Sequence, residues 1–254
     1  MLADSHTHLD QFTDEEVAGM VARSRDAGVS MIVAVGTTLA SSRRVIEIAD
    51  RYEAVYAGVG IHPMDIEAPF TDDDYAALRD LALSHSKVVC IAETGLDFLD
   101  TSPDREWQDR AFREHIRLAR ELGKVIDFHA REAHDVILDV LREEKAAETG
   151  AIWHYFLGDA AKAREAVDLG LYISLAKPLL REPALVEAVK EIPIERIVLE
   201  TDTYPQPWKK NPERRTEPSH VRQVAEKVAE LWNRSPDEVA EITTANLHRV
   251  LRLG

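Results

Sequence analysis

The chain has 254 residues, of which 45% are hydrophobic and 30% charged, so it can bury a substantial core as one barrel or as two small domains. Its 46 acidic residues outnumber 31 lysines and arginines, and the net charge of −15 opposes non-specific adhesion to nucleic acid or anionic membrane. The single cysteine, Cys90, excludes an internal disulfide, and no apolar run reaches the ~18 residues of a membrane helix, so we expect a cytoplasmic protein without a membrane partner.

Short apolar runs alternate with amphipathic stretches along the whole chain, which is the pattern of repeated strand–helix units. The apolar runs predict eight strands, near residues 2–7, 30–36, 54–61, 87–93, 124–129, 151–154, 170–175 and 195–201. Helical periodicity predicts helices near 14–27, 40–51, 72–85, 105–122, 133–145, 159–168, 182–191, 218–232 and 236–250. The last two have start signals in Pro218-Ser219 and Ser235-Pro236.

Eight strands, each followed by a helix, close most simply into an α/β fold of the (β/α)8 TIM-barrel type. No linker or low-complexity stretch interrupts the alternation, so we expect residues 1–254 to form a single domain. The active sites of such barrels lie at the carboxyl ends of the strands and in the loops that follow. Candidate residues are therefore sought at that end.

Six side chains of metal-binding type lie where a predicted strand ends. They are His6 and His8 in LADSHTH, Glu93 after VVCIA, His129 after KVIDF, His154 after AIW, and Asp202 after RIVLE. Two histidines spaced by two residues point to the same side of a strand and can hold one cation. Each residue alone also has a structural interpretation, as a core histidine, a salt bridge or a loop cap. Six such residues at one rim together favour a two-metal hydrolase.

Several motifs in this order resemble the TatD family of metal-dependent deoxyribonucleases, within the amidohydrolase-like superfamily of barrels. The matching pieces are DSHTHLD at 4–10, GIHP at 60–63, AETGLDF at 92–98, FHARE at 128–132, HYFLGD at 154–159, LETD at 199–202 and EP at 217–218. Gln108, Phe112 and the closing TTANLHRVL are also similar to the family. The resemblance covers nearly the whole chain.

The resemblance implies two divalent ions at the rim. It places one ion among His6, His8, Glu93 and Asp202, and the other among Glu93, His129 and His154. Glu93 would bridge the ions, and Asp202 would orient the attacking water and accept its proton, so both would be catalytic. A hydroxide bridging the ions would be the nucleophile, because coordination can lower the pKa of water to about 7. The mixed nitrogen and oxygen ligands do not decide between Mg, Mn and Zn.

The charge of such a site differs from that of the whole protein. Two divalent ions, less Glu93, Asp202 and a bridging hydroxide, leave a net charge of about +1, because metal-bound histidines are neutral. A cleft of this charge would attract an anionic phosphodiester. The acidic composition therefore does not exclude a nucleic-acid substrate.

Four residues near the rim are candidates for binding substrate. His62 resembles the family histidine that touches a phosphate, and a hydrogen bond to a metal ligand is its other interpretation. Arg131 can clamp an anionic oxygen or pair with Glu132. Lys177 lies at the same end, where solvated lysines are common.

The loop after the eighth strand, TYPQPWKKNPERRTEP, contains the other two candidates, Tyr204 and Trp208. The neighbouring basic residues are Lys209, Lys210, Arg214 and Arg215. Aromatic rings among basic side chains suit single-stranded nucleic acid, because rings stack on bases while cations contact phosphates. The alternative is a solvated loop whose tryptophan packs on the barrel.

Two departures from the family pattern affect the pocket walls. Thr203-Tyr204 precede Pro205 where a small residue and proline usually follow LETD, and Tyr-Phe-Leu-Gly follows His154 where cysteine-phenylalanine-serine-glycine is usual. The leading prediction is a deoxyribonuclease of exonuclease type that acts on single-stranded DNA or DNA ends. The alternatives are a metal-dependent hydrolase of small amides, esters or phosphoesters, and a catalytically idle scaffold, against which the complete ligand set argues.

Overall fold

Eight parallel strands follow one another around a single sheet, in the computed structural model that describes residues 1–209 and 215–253. They are β1 (Leu2–Thr7), β2 (Val29–Val35), β3 (Val55–Val59), β4 (Val88–Asp97), β5 (Val125–Arg131), β6 (Ala151–Trp153), β7 (Tyr172–Leu175) and β8 (Ile197–Leu199). Each pairs with the next in sequence, as repeated right-handed strand–helix–strand units require. The predicted contacts of Lys210 and Arg214 lie outside the described residues.

Helices separate the strands and cover the outside of the sheet. They are α1 (Asp14–Asp26), α2 (Leu39–Arg51), α3 (Asp72–Ser84), α4 (Arg105–Leu122), α5 (His134–Glu143), α6 (Ala160–Asp168), α7 (Pro183–Val189), α8 (Val221–Trp232) and α9 (Pro236–Val250). Thr13, Thr71 and Ser235 each cap the helix that follows by accepting a hydrogen bond from a backbone N–H three residues later. None of the described helices is long and apolar enough to cross a membrane.

The sheet closes between its first and last strands. The backbone N–H of Asp202 donates to the carbonyl of His6 at 3.1 Å, and that of His8 donates to the carbonyl of Thr203 at 2.7 Å. Below these bonds, the buried Asp4 accepts hydrogen bonds from the backbone and hydroxyl of Thr201. The predicted (β/α)8 barrel is therefore confirmed, with most helix bounds within two residues of those expected.

Alternate residues of each strand face different parts of the core. In β2, Ile32 and Ala34 belong to the large apolar cluster shared with the helices, whereas Met31, Val33 and Val35 belong to a second cluster. That second cluster also contains Cys90, 1% exposed, and three residues at the end of α9: Leu247, Val250 and Leu251. Cys90 thus packs as a small buried side chain. Side chains fill the barrel beneath the rim that carries the candidate site.

Two strands extend further than predicted. β4 runs to Asp97 and β5 to Arg131, because the two strands pair with each other beyond Glu93, with Gly95 opposite His129 and Asp97 opposite Arg131. Gly95 has a φ of +142°, and a Cβ there would lie 2.0 Å from the carbonyl oxygen of His129. The strands therefore continue beyond the apolar runs that predicted them and bring polar side chains to the rim.

Candidate metal centre

A cavity of about 570 Å³ opens at the carboxyl ends of the strands. Five of the six predicted metal ligands line it, and His6 lies fully buried beneath them. Three of the four predicted substrate contacts line it as well, namely His62, Arg131 and Tyr204. The barrel therefore brings residues from strands far apart in sequence to one site.

Glu93 lies at the centre of the cluster, and its two oxygens face different histidines. Its Oε2 is 3.5 Å from His6 Nε2 and 3.4 Å from His8 Nε2. Its Oε1 is 3.5 Å from both His129 Nδ1 and His154 Nε2. A single carboxylate with one oxygen toward each pair of imidazoles has the arrangement that a bridge between two cations requires.

Asp202 completes the same side of the site as His8. Its Oδ1 lies 3.3 Å from His8 Nε2, and its backbone has a φ of +50°, a left-handed conformation that aspartate tolerates better than most residues. Three groups have donor atoms within 4.8 Å of one another: His6, His8 and Glu93; His6, His154 and Asp202; and His62, Glu93 and His129. Each group is small enough to surround one ion.

Buried carboxylates hold three of the four predicted ligand histidines through the ring nitrogen that points away from Glu93. The pairs are His6 Nδ1 with Asp127 Oδ2 at 2.8 Å, His129 Nε2 with Asp97 Oδ2 at 3.0 Å, and His154 Nδ1 with Glu200 Oε2 at 3.1 Å. An ionised carboxylate only accepts hydrogen bonds, so the nitrogen beside it carries the proton. The other nitrogen of the neutral ring then keeps its lone pair for a cation, as in other histidine metal sites.

These three carboxylates were not predicted as site residues. Each is an ionisable residue next to apolar residues, within a strand or at its end, in GLDF, VIDF and VLET, and that pattern is the signal that could have revealed them. They also change the net charge of the site. The net charge expected from the sequence included only the ions and the groups that bind them directly. Together they add negative charge around the ions, and Arg131 offsets the charge of Asp97 alone.

His62 differs from the ligand histidines in its hydrogen bonds. Its Nδ1 accepts a hydrogen bond from the backbone N–H of Met64 at 3.1 Å, so the proton of the neutral ring lies on Nε2. That nitrogen is 3.4 Å from Glu93 Oε1 and faces the cavity. His62 therefore presents a hydrogen-bond donor where the other histidines present lone pairs.

Arg131 pairs with Asp97 rather than with Glu132, the partner suggested by the sequence. Its Nε and Nη2 lie 2.7 and 2.6 Å from Asp97 Oδ2, and the side chain is 46% exposed. Gln108 fixes the backbone of Asp97 from below by accepting its N–H and donating to its carbonyl. The guanidinium is thus held at the cavity wall.

The remaining predicted residues divide between the cavity and its surroundings. Tyr204 lines the cavity, whereas Trp208 lies outside the lining, 63% exposed, with its ring 6.0 Å from that of Tyr204. Trp208 does not pack into the barrel as the alternative interpretation required. Lys177 also lies outside the lining, with Nζ 3.0 Å from His220 Nδ1, and burial lowers its pKa to about 8.

The metal-free cluster holds protons that a cation would displace. Burial alone would lower the pKa of His129, but its hydrogen bond to Asp97 and the charge of Glu93 raise it to about 8. Burial is likewise outweighed at His6, where Asp127 and Glu93 raise the pKa well above its usual value. The pKa of Glu93 is held well below its usual value, because the charges of His62 and His154 outweigh the effect of burial.

The donor set fits divalent cations. Two buried imidazole nitrogens, His6 Nε2 and His8 Nδ1, have no hydrogen-bond partner in the described part of the chain. Buried polar atoms are rarely left unpaired without a reason, and His6 Nε2 is the lone-pair nitrogen that faces Glu93. Imidazole nitrogens together with carboxylate oxygens suit Zn²⁺ and Mn²⁺, and Mg²⁺ where water completes the shell.

Comparison with known proteins shows the family to which the chain belongs. The model of the family described as TatD related DNase matches residues 3–252. The metal-dependent hydrolase YabD of Bacillus subtilis is 37% identical, with 100% of each chain covered. The 3'-5' ssDNA/RNA exonuclease TatD of Cronobacter sakazakii is 34% identical over 93% of this chain and 92% of its own. The crystal structure of the TatD homologue YJJV of Escherichia coli superposes with a TM-score of 0.89 at 26% identity, covering 100% of this chain and 98% of the other. The chain therefore belongs to the TatD family of metal-dependent hydrolases.

Proposed function

We propose that this hydrolase is a two-metal phosphodiesterase that removes nucleotides from single-stranded DNA or DNA ends, as an exonuclease-type deoxyribonuclease. The observation that carries the proposal is the position of Glu93, whose oxygens face separate pairs of imidazoles 3.4–3.5 Å away. A pair of ions about 3.5–4 Å apart is the arrangement of many phosphodiester-cleaving enzymes. The exonuclease relative from Cronobacter sakazakii supports the same substrate class.

The proposed ions would share Glu93. One would be held by His6, His8, Glu93 and Asp202, and the other by Glu93, His129 and His154. Ions bound there would supply activated water and neutralise charge on the phosphodiester. Asp127, Asp97 and Glu200 keep the ligand imidazoles oriented before the ions arrive.

Asp202 is proposed to accept the proton of the attacking water. Burial would raise its pKa, but the hydrogen bond from His8 and the charge of His154 lower it below the usual value. Its carboxylate is therefore ionised at neutral pH. Its place beside His8, on the open side of the cluster, allows Oδ1 to orient water and take up the proton.

His62 and Arg131 are proposed to bind the phosphate. His62 lines the cavity with its Nε2–H 3.4 Å from Glu93 Oε1, and this donor would suit a non-bridging phosphate oxygen bound beside Glu93. Asp97 holds the Arg131 guanidinium through Nε and Nη2, and Nη1 has no partner among the residues described. A half-exposed guanidinium in this position can donate to a second phosphate oxygen.

A second candidate function is hydrolysis of a small amide, ester or phosphoester at the same centre. The net charge of −15 favours it, because an acidic surface repels long polyanions and leaves small substrates unaffected. For a nuclease, the attraction must come from the ions, His62 and Arg131 together. Salt should therefore inhibit DNA cleavage by this protein less than it inhibits basic nucleases.

End-labelled single-stranded DNA with added Mg²⁺ or Mn²⁺ separates these functions. We expect stepwise shortening of the DNA, lowered at least about 10²-fold by Asp202→Asn, because a proton acceptor at the reacting water is lost. Asp168→Asn, an exposed carboxylate on α6, is the matched control and should retain activity. Intact DNA together with turnover of small esters or phosphoesters would establish the second function. Activity without any divalent ion would exclude both.

A further inference from the structure

The two sides of the cavity differ in chemistry. The side formed by the loop after β3 and the end of β5 presents His62 and Arg131, which carry hydrogen-bond donors. The side formed by loops after β6 and β8 presents Tyr155, Leu157 and Tyr204, which are aromatic or aliphatic. Among the residues that the structure describes, no lysine or arginine belongs to the lining of the second side. A substrate that fills both sides therefore needs an anionic part and a flat or apolar part.

The turn after β6 holds its side chains in fixed positions. Phe156 is 1% exposed and packs edge-to-face on Trp153, with ring centroids 4.9 Å apart. This anchor leaves Leu157 on the opposite side of the turn, 53% exposed at the cavity wall. A large aliphatic side chain exposed in a concave site is available to bind a ligand.

Tyr155 is fixed by the carboxylate that also fixes a predicted metal ligand. Glu200 accepts the backbone N–H of Tyr155 through Oε1 at 2.8 Å and faces His154 Nδ1 through Oε2 at 3.1 Å. Tyr155 has a φ of +47°, which is unfavourable for a bulky residue and is tolerated mainly where function requires a particular position. Glu200 therefore fixes the backbone of Tyr155 relative to the imidazole of His154.

We propose that Tyr155, Leu157 and Tyr204 form a nucleobase-binding subsite that holds the base of one nucleoside beside the scissile phosphate. The inference rests on the proposed phosphodiesterase function and specifies its substrate as one with an unpaired terminal base. The Tyr155 ring lies 5.7 Å from that of His154, and Tyr204 lines the same cavity as Asp202, so this wall adjoins the proposed metal ligands. Tyrosine rings and aliphatic side chains bind unpaired bases without needing a particular sequence.

A base stacked in a duplex would not fit this wall. Both faces of a paired internal base are covered by its neighbours, whereas the wall offers flat contacts to an exposed face. The subsite therefore favours a terminal base over an internal one, and a terminal base that is unpaired can turn out of the helix to reach the wall. It would also give an acidic protein a source of affinity for DNA that does not depend on its net charge, since the contacts are aromatic and aliphatic.

Terminal abasic oligonucleotides test the subsite. kcat/KM is measured with Mn²⁺ for a single-stranded oligonucleotide and for the same strand carrying a tetrahydrofuran abasic residue at its 3' or 5' end. We expect the wild-type protein to prefer the intact strand by roughly 10- to 100-fold at one of the two ends, the range of one lost stacking contact. Leu157→Ser and Tyr204→Ala should reduce this preference, whereas Tyr204→Phe, which keeps the ring, should retain it.

Val136→Ser is the control, because it shortens an apolar side chain of α5 that is 44% exposed and lies outside the cavity lining. It should leave the preference unchanged. Equal cleavage of intact and abasic ends by the wild-type protein, or an undiminished preference in both Leu157→Ser and Tyr204→Ala, would overturn the subsite. Failure of the wild-type protein to cleave any of the strands would instead overturn the proposed function.

Discussion

Glu93 is the residue on which both halves of the site converge. Replacing it by glutamine keeps the size of the side chain but gives one half of the site an N–H₂ group, which cannot bind a cation. We expect Glu93→Gln to lose metal from both positions and to lose activity. Elemental analysis of the purified protein checks this, with Glu226→Gln on the exposed face of α8 as the control. Retention of two ions per chain by Glu93→Gln would contradict the bridging role.

Asp127 offers a test of how the ligand histidines are oriented. In Asp127→Asn, the side-chain amide can donate to His6 Nδ1, which would move the ring proton to the nitrogen that faces Glu93. We expect divalent-metal affinity to fall about 10- to 100-fold while the barrel stays folded. Competition with a chelator measures the affinity, and circular dichroism checks the fold. An unchanged affinity would show that Asp127 has no part in presenting His6.

For individual residues, the sequence predicted which side chains lie together at the site, but not all of their hydrogen-bond and ion-pair partners. The six predicted ligands meet because each lies in the carboxyl half of a strand or just after it, and these ends of the strands meet at one rim. Asp127 contacts a histidine 121 positions away in the chain, and its strand alone does not reveal that partner. Arg131 shows the same limit, because pairing of β4 with β5 beyond Glu93 places Asp97 beside it instead of Glu132.

The pairing of β4 with β5 makes a prediction about one glycine. Gly95→Ala would bring a methyl group to 2.0 Å from the carbonyl of His129 and also place alanine at a φ of +142°. We expect the free energy of unfolding to fall by about 2 kcal/mol or more, because the backbone beside a predicted ligand must move. Urea denaturation measures this change.

Gly170→Ala is the matched control for Gly95→Ala. Gly170 also has a positive φ, +83°, but its nearest neighbour would be 3.9 Å from the new Cβ. It should cost only the backbone strain, about 1–2 kcal/mol, and leave metal binding intact. Equal losses of stability and unchanged metal content in both variants would show that close approach at Gly95 is unimportant.

Helices and strands were largely predictable because the hydrophobic period changes regularly from strand to helix. Errors occurred where polar residues belong to a strand, as in Thr94–Asp97, or where a helix starts with a tighter turn. Residues Pro218–His220 form such a 3-10 turn before α8. Local polarity predicts solvent exposure, but in these segments the pairing of neighbouring strands or the turn geometry decides the conformation.

The affinity of the protein for divalent ions should depend on pH. At pH 7, His129, with a pKa of about 8, and His6, with a pKa well above its usual value, hold protons in the metal-free site. Metal uptake should release at least about one proton per chain at pH 7 and fewer at pH 9, so affinity should rise with pH up to about 8. Calorimetric titration in buffers of different ionisation enthalpy measures the released protons. A heat of binding that is independent of the buffer at pH 7 would contradict this.

The same shift should affect the stability of the metal-free fold. A histidine whose pKa rises from 6.5 to about 8 on folding stabilises the folded state fully below pH 6.5 and loses that contribution as pH rises through about 8. For His129 the loss is about 2 kcal/mol. We expect the free energy of unfolding of the metal-free protein to fall between pH 6.5 and 8.5, and the fall should be about 2 kcal/mol smaller in His129→Asn, in which His6 still contributes. A parallel decrease in both proteins would assign the effect to other groups.

The lining residues of a cavity identify the candidate site in this molecule better than the volume of the cavity does. A larger cavity, about 1220 Å³, lies at the opposite end of the barrel among residues such as Met1, Val29 and Leu253. None of the three donor groups found in the described chain lies there. The smaller cavity contains nearly all the predicted ligands, at the end where barrels of this fold place catalysis.

Anomalous diffraction from crystals soaked in Mn²⁺ tests the proposed centre most directly. We predict two peaks about 3.5–4 Å apart, one on each side of the Glu93 carboxylate, the first near His8 and Asp202 and the second near His129 and His154. A single peak away from Glu93, or no peak at a Mn²⁺ concentration that supports catalysis, would contradict the two-metal centre.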